Sequence, residues 1–159
     1  MSLASPHSIA FNGTPFSLGI VAARYNPALV NALLHTVVEL LTAAGVKERR
    51  LAILRVPGSH EVPVAAQWLA QAGKRDCVIA LGVLIGGDTN HHEMVGQSVS
   101  QALQQVALAT RTPVINGVIV ADNLKQAEAR CLGAINRGAE FARAALEMAA
   151  LKRAHGGNK

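Results

Sequence analysis

The stretch IGGDTNHHEMV (85–95) sets two glycines, two adjacent histidines and two carboxylates close together after an apolar run. Four chemistries use such residues: a metal site, a nucleotide-binding turn, an acid/base centre, or the plain start of a helix. His91 and His92 are sequence neighbours, so on a helix they point about 100° apart. They cannot share a metal as an i, i+4 pair can, and no metal is expected. The glycines follow neither GxGxxG nor a P-loop with its lysine, so no nucleotide cofactor is expected either. Gly86 and Gly87 free the backbone, and Asp88 and Thr89 are good capping types for a helix that follows. The amides at such a helix start form an anion site suited to phosphate. One histidine facing a cleft beside a phosphate ester suits proton transfer near neutral pH, with the other facing outward or toward a neighbouring subunit.

Three further stretches carry polar groups at comparable turns. In VPGSHEVP (56–63), Ser59, His60 and Glu61 supply a hydroxyl, an imidazole and a carboxylate after a Pro-Gly turn. They can bind a polyol, or Ser59 can cap a helix whose dipole favours Glu61. In ARYNP (23–27), the single tyrosine, Tyr25, can stack on a flat ring or cover a helix end. In QAEARCLGAINRGAE (126–140), Arg130, Arg137 and Glu140 can meet as a phosphate-binding fork or remain helix-surface ion pairs.

These turns are positioned by alternating strand-like and helix-like segments. LGIVAA (18–23), RLAILRV (50–56), CVIALGVLI (77–85) and PVINGVIV (113–120) read as strands. Leu29, Leu33, Val37, Leu40 and Leu41 recur at helical spacing in 27–45, with Pro27 in the first turn and Gly45 at the end. Further helices are expected over 61–73, 91–110, 123–134 and 137–153, with a kink near 133–138 and a loose tail over 154–159. Strands each followed by a helix imply a parallel sheet with right-handed crossovers and helices on both faces. The expectation is one three-layer α/β/α domain over 1–159, with a four-stranded parallel sheet and an N-terminal arm over 1–15. Ligands of such sheets bind beyond the carboxyl ends of the strands, which points to the turns at 24–27, 57–62, 85–91 and 121–123.

Hydrophobic residues make up 50% of the 159 and the mean hydropathy is +0.27, a surplus that points to burial between subunits. The longest apolar run is of strand length, well short of the ~20 residues that cross a membrane. The net charge of +5 suggests nucleic acid only until its placement is read: the densest cluster, KERR (47–50), sits in a turn, and aromatics are only 3%. Neither nucleic acid nor membrane is therefore an expected partner. Cys77 and Cys131 lie far apart and outside any CxxC, and the N-terminus lacks the apolar core of a signal peptide. Free thiols in a reducing cytoplasm follow as the expectation.

Taken together, the segments resemble the lumazine synthase family, the penultimate enzymes of riboflavin biosynthesis. IVAARYN resembles its first strand and aromatic-Asn turn, and VPGSHEVP its Pro-Gly-x-aromatic-Glu-Ile-Pro segment. GVLIGGDTNHHEMV resembles its Gly-x-x-Ile-basic-Gly-x-Thr-x-His-aromatic-acid-Tyr-Val signature. GVIVADNLKQAEAR and NRGAEFARAALEM resemble its last strand and closing helices, so the likeness runs in order over about residues 16–153.

The resemblance implies a flavodoxin-like, homo-oligomeric fold. It also implies condensation of 5-amino-6-(D-ribitylamino)uracil with 3,4-dihydroxy-2-butanone 4-phosphate, releasing phosphate and water, with no cofactor. His91 takes the acid/base position. Tyr25 and Asn26 fall at the pyrimidine, Ser59, His60 and Glu61 at the ribityl chain, and Ile85 offers its backbone to the uracil edge. Gly87, Asp88 and Thr89 hold phosphate with Arg130, which Glu140 orients, and Arg137 matches a basic position nearby. Asn116 stands where the family carries a phenylalanine that reaches into the next subunit's pocket. The implied assembly is a homopentamer or larger, with active sites at subunit interfaces and riboflavin synthase as a partner. Departures include Gly86 for a basic residue, His60 and His92 for aromatics, Asn90 for proline and Met94 for tyrosine. They motivate an alternative: a weakly catalytic lumazine- or flavin-binding or shell-forming paralogue. A flavodoxin-like FMN carrier shares the sheet type.

Overall fold

The apolar runs pair side by side because strands covered by helices on both faces must present apolar side chains to each. In the computed structural model, which describes residues 10–133, 135 and 137–156, β1 (Leu18–Ala23), β2 (Leu51–Val56), β3 (Cys77–Ile85) and β4 (Val114–Ala121) form one sheet in the order β2-β1-β3-β4. Every pairing is parallel, with Leu18 opposite both Leu51 and Cys77, and Val78 opposite Val114. The helices are α1 (Pro27–Ala43), α2 (Val62–Gln71), α3 (His91–Thr110), α4 (Leu124–Cys131) and α5 (Arg137–His155). Two single 3-10 turns, Glu48–Arg50 and Ser59–Glu61, join β2 to its neighbours.

Alternation along the strands divides the interior into two cores. Ile20, Ile79, Leu81 and Ile119 face α1, α4 and α5, packing on Leu33, Val37, Ala127 and Leu146. Val21, Val78 and Ala80 face α2 and α3, packing on Ala66, Leu69, Val99 and Leu103. This is a three-layer α/β/α arrangement of the flavodoxin-like type. The central strands β1 and β3 are the most deeply covered, which fixes what their carboxyl ends present.

Several boundaries differ from the sequence reading for identifiable reasons. α1 stops at Ala43 because Gly45 turns left-handed at φ 99°. Its amide then bonds Thr42 while the Val46 amide bonds Leu41, the paired bonds of a Schellman ending. α2 is shorter than 61–73 because the 3-10 turn occupies its expected entrance. β2 begins at Leu51 and β4 at Val114, one residue later than read, and α4 ends at Cys131. α5 continues through His155, so the first two residues of the expected tail are helical. Most of the arm over 1–15, the end of the tail, and two residues of the 133–138 segment lie outside the described residues. Among the described residues no helix is long and apolar enough to cross a membrane. Both cysteines are free and buried.

Candidate active site

The strand order turns at β1: the chain moves to β2 on one side and to β3 on the other. Loops leaving β1 and β3 therefore part in opposite directions and open a crevice at their carboxyl ends, as the general rule for such sheets requires. A cavity of about 530 Å³ lies there. Tyr25 and Asn26 reach it from β1, Ser59, His60 and Glu61 from β2, and Ile85, Gly87, Thr89 and His91 from β3.

Each wall is set by a local device. Asn26 is left-handed (φ 53°, ψ 56°), a conformation that asparagine tolerates better than most residues. Its Nδ2 donates to the Val83 carbonyl at 2.9 Å, tying the start of α1 to β3 rather than capping its own helix. Glu61 reaches back to accept the Gly58 amide at 2.8 Å, which closes the Pro-Gly turn. A Cβ at Gly58 would stand 3.1 Å from Glu61 Oε2, so the glycine leaves room for that carboxylate, with the Tyr25 ring at ordinary contact distance. Tyr25 is otherwise open, 72% exposed at the mouth.

Ser59 does not cap α2: it lies inside the 3-10 turn, is only 4% exposed, and its Oγ has no hydrogen-bond partner among the described residues. A buried hydroxyl without a partner is uncommon in a folded interior, and this one lines the cavity. A Cβ at Gly82 would come within 2.5 Å of that oxygen, so β3 makes room for it.

At the third turn, Asn90 rather than Asp88 or Thr89 is the cap residue of α3, and it makes no side-chain cap bond. Asp88 is exposed and off the cavity wall, while Gly87 and Thr89 lie on it. His91 is exposed into the cavity and makes no hydrogen bond among the described residues. Its ring is free to exchange a proton with a bound molecule. His92 does not simply face outward: it is half-buried, lines the same cavity, and its Nδ1 is buried without a partner among the described residues.

Arg130, Arg137, Glu140 and Asn116 stand elsewhere. Arg130 on α4 donates from Nη1 to the Gln126 carbonyl at 2.9 Å and is not on the cavity wall of its own chain. The ion pair formed here joins Arg137 to Glu140 across one helical turn of α5, so Glu140 is held by Arg137 where the resemblance assigned it to Arg130. The i, i+3 spacing was the available signal for that pair. Asn116 is exposed on the edge strand β4, its Oδ1 accepting the Val118 amide at 3.1 Å. It lines a second hollow, between β4 and α3, with Gln101, Gln104 and Leu108. Sequence reading also missed Val83, whose carbonyl anchors Asn26, and Val95, which supplies an apolar part of the wall.

Chemically, the cavity offers an unpartnered imidazole, an unpartnered hydroxyl, an exposed phenol ring and backbone amides before a helix, a set for a polyhydroxylated and anionic ligand.

The sequence profile of the family described as 6,7-dimethyl-8-ribityllumazine synthase matches residues 15–153. The 6,7-dimethyl-8-ribityllumazine synthase of Polaromonas sp. strain JS666 is 42% identical over 140 residues, 88% of this chain and 89% of that one. The enzyme of the same name from Thermococcus onnurineus strain NA1 is 41% identical over 141 residues, 89% and 91% of the two chains. That of Xylella fastidiosa strain M12 is 41% identical over 133 residues, 83% and 86%. A match this long, at this identity, to proteins of one name shows that the chain belongs to the 6,7-dimethyl-8-ribityllumazine synthase family of transferases.

Proposed function

We propose that the chain makes 6,7-dimethyl-8-ribityllumazine from 5-amino-6-(D-ribitylamino)uracil and 3,4-dihydroxy-2-butanone 4-phosphate, releasing phosphate and water in riboflavin biosynthesis. The observation that carries this is the exposed His91, without a side-chain hydrogen bond among the described residues, on one cavity with the orphaned Ser59 hydroxyl, Glu61 and Tyr25. Tyr25 stacks on the pyrimidine beside Asn26, the Ile85 backbone meets its edge, and Ser59, His60 and Glu61 hold the ribityl hydroxyls. The backbone of 87–89 receives the phosphate. Attack of the substrate amine on the ketone forms a carbon–nitrogen bond and expels water. Phosphate then leaves by elimination, and attack of the ribitylamino nitrogen on the remaining carbonyl closes the ring with loss of a second water. Each step moves a proton, and His91 gives or takes it, a role worth typically ~10²–10⁴ in rate. Holding both substrates in one cavity supplies much of the rest.

The site is completed by assembly. Arg130 and Asn116 are off the cavity wall of their own chain, and in a homopentamer or larger shell adjoining copies bring them to it, with Arg137 and Glu140 supporting the phosphate side. The outer surfaces of α2 and α3 support such docking: Val64 and Trp68 lie one turn apart and are 47% and 59% exposed, and Leu108 is 71% exposed. Apolar side chains gathered in this way mark an interface. Riboflavin synthase is the partner enzyme in this reading. The two free thiols fit action in the reducing cytoplasm.

A lumazine-formation assay on purified protein, with native mass measured on the same sample, tests the proposal. Product formation by a pentamer or a multiple of it is the expected result. Tight calorimetric binding of the ribitylaminouracil without product would replace it with the weakly catalytic binding or shell-forming paralogue.

A further inference from the structure

We propose that His92, Glu93 and Asp122 form a binding site for a first-row divalent transition cation of the zinc or cobalt class, at the rim of the active-site cavity. One ligand atom from each of the three lies within 4.8 Å of the others. Yet no ion pair within 4.0 Å joins them among the described residues, so the imidazole is not simply neutralised by a carboxylate. His92 Nδ1 is buried with no hydrogen-bond partner among the described residues, so the chain leaves this ring unsatisfied.

The geometry arises from two loops held unusually close. The Gly86 amide bonds the Ala121 carbonyl at 2.8 Å, and a Cβ at Gly86 would stand 2.4 Å from the Asp122 carbonyl oxygen. Only glycine allows that approach, which sets Asp122 at the end of β4 beside the first turn of α3. His92 and Glu93 leave that helix about 100° apart, but the longer glutamate side chain folds back to bring its carboxylate within range. Asp122 is oriented from behind. Gln126 Nε2 donates to its Oδ2 at 3.0 Å, and Gln126 Oε1 accepts its amide at 3.1 Å. Such outer partners are what align metal ligands.

One imidazole nitrogen and two carboxylate oxygens suit zinc, cobalt or nickel better than calcium or magnesium, which take oxygen donors. Tetrahedral bonds of about 2.0–2.1 Å set ligand atoms about 3.4 Å apart. Closing from 4.8 Å or less asks for a small movement of the side chains, and those of Glu93 and Asp122 are exposed. Three protein ligands leave a coordination position open to water or to an oxygen of a molecule in the cavity, which His92 also lines.

The test is a titration of tag-free protein with Zn²⁺ by calorimetry and with Co²⁺ by visible absorption, read without any synthase assay. We expect one cation per chain and cobalt d–d bands. His92→Phe and Asp122→Asn should each weaken binding by at least about tenfold, and Gln126→Ala by about tenfold, the usual effect of an outer-shell partner. His91→Ala and His35→Ala should bind like the parent, which separates this site from the cavity base and from the exposed His35–Glu39 pair. No cobalt spectrum, parent-like binding in both His92→Phe and Asp122→Asn, or a loss that follows His91→Ala or His35→Ala would each overturn the proposal.

Discussion

The two ends of the sheet use their polar residues in opposite ways. At the amino end, Asp76 accepts the Ser17 amide at 2.7 Å and two bonds from Arg153, at 2.7 and 2.8 Å. Lys152 donates to the Arg75 carbonyl and to Thr112, and Arg75 to Ser17. Burial holds the Lys152 ammonium below its usual pKa, against the opposing pull of Asp76. At the carboxyl end, Ser59 Oγ and His92 Nδ1 have no partner and His91 makes no hydrogen bond among the described residues. Although Arg50 Nε and Arg75 Nε at the amino end are buried without a partner among the described residues, that end uses its hydrogen bonds to lock α5 and the β1 entrance together. The other leaves them open to a ligand, on a backbone that includes the left-handed Asn26. The comparison predicts that substitutions at the amino end cost stability, while those at the carboxyl end cost function.

The sharpest break would come from His91→Ala. Turnover should fall by ~10²–10⁴, while the denaturation midpoint and native mass stay at parent values, because the ring supports nothing in the fold. Unchanged kinetics would remove the acid/base role. A collapse in stability would erase the distinction between the two ends.

The next largest effect concerns reactivity at the closed end. Burial pushes the Cys77 thiol up to about 12 from an ordinary 9, and Cys131, on α4, up to about 11 for the same reason. Only the thiolate reacts, so folded protein at pH 8 should consume a disulfide reagent at least about a hundredfold more slowly than protein in denaturant. The same shift has a sign for stability. The unfolded thiol ionises near 9 while Cys77 stays neutral to about 12, so its contribution is complete below 9 and is lost as pH rises through about 12. Rapid labelling of native protein would show that the closed end opens.

Asp76→Ala should lower unfolding free energy by about 2–3 kcal/mol, the usual cost of stripping hydrogen bonds to a charged group. Chemical denaturation measures it. The kcat of the folded fraction should hold, since the carboxylate lies at the end of the sheet opposite the cavity. A loss of kcat with unchanged stability would reverse the assignment of the two ends.

The same contrast explains what was legible in the sequence. β1, β3 and α3 have the bounds read for them because uninterrupted apolar runs and helical spacing leave no competing period. The cavity's place followed from strand order, and Ser59, Glu61 and His91 were placed on it by type and turn position. The cap of α3 was not legible. Asp88, Thr89 and Asn90 are three capping types in a row, and the close contact of Gly86 with the Asp122 backbone helps decide where the chain turns. Nor could residue type say that Ser59 would be buried rather than capping, because the 3-10 turn depends on Glu61 reaching back to Gly58. Arg130 was assigned a carboxylate that Arg137 holds, since likeness of position carries no rotamer. The turns at 85–91 and 121–123 were read at the same edge of the sheet, but that Asp122 would face His92 was not legible, because the close approach of the Gly86 and Asp122 backbones appears only on folding.

The smallest and most diagnostic effect is at Ser59. Its Oγ is buried without a partner, so burying it already costs free energy that the folded chain does not recover. Ser59→Ala removes that cost, and Gly82, which has no Cβ, leaves the smaller side chain unstrained. Folding stability should therefore hold or rise by up to about 1 kcal/mol, where a serine that capped α2 would lose about that much. If the hydroxyl instead meets a ligand, KM for the ribityl substrate should rise by about three- to tenfold, one neutral hydrogen bond, with kcat little changed. A drop in stability with KM unaltered would mean that this oxygen serves the fold, and the open end of the sheet would then be less open than its geometry implies.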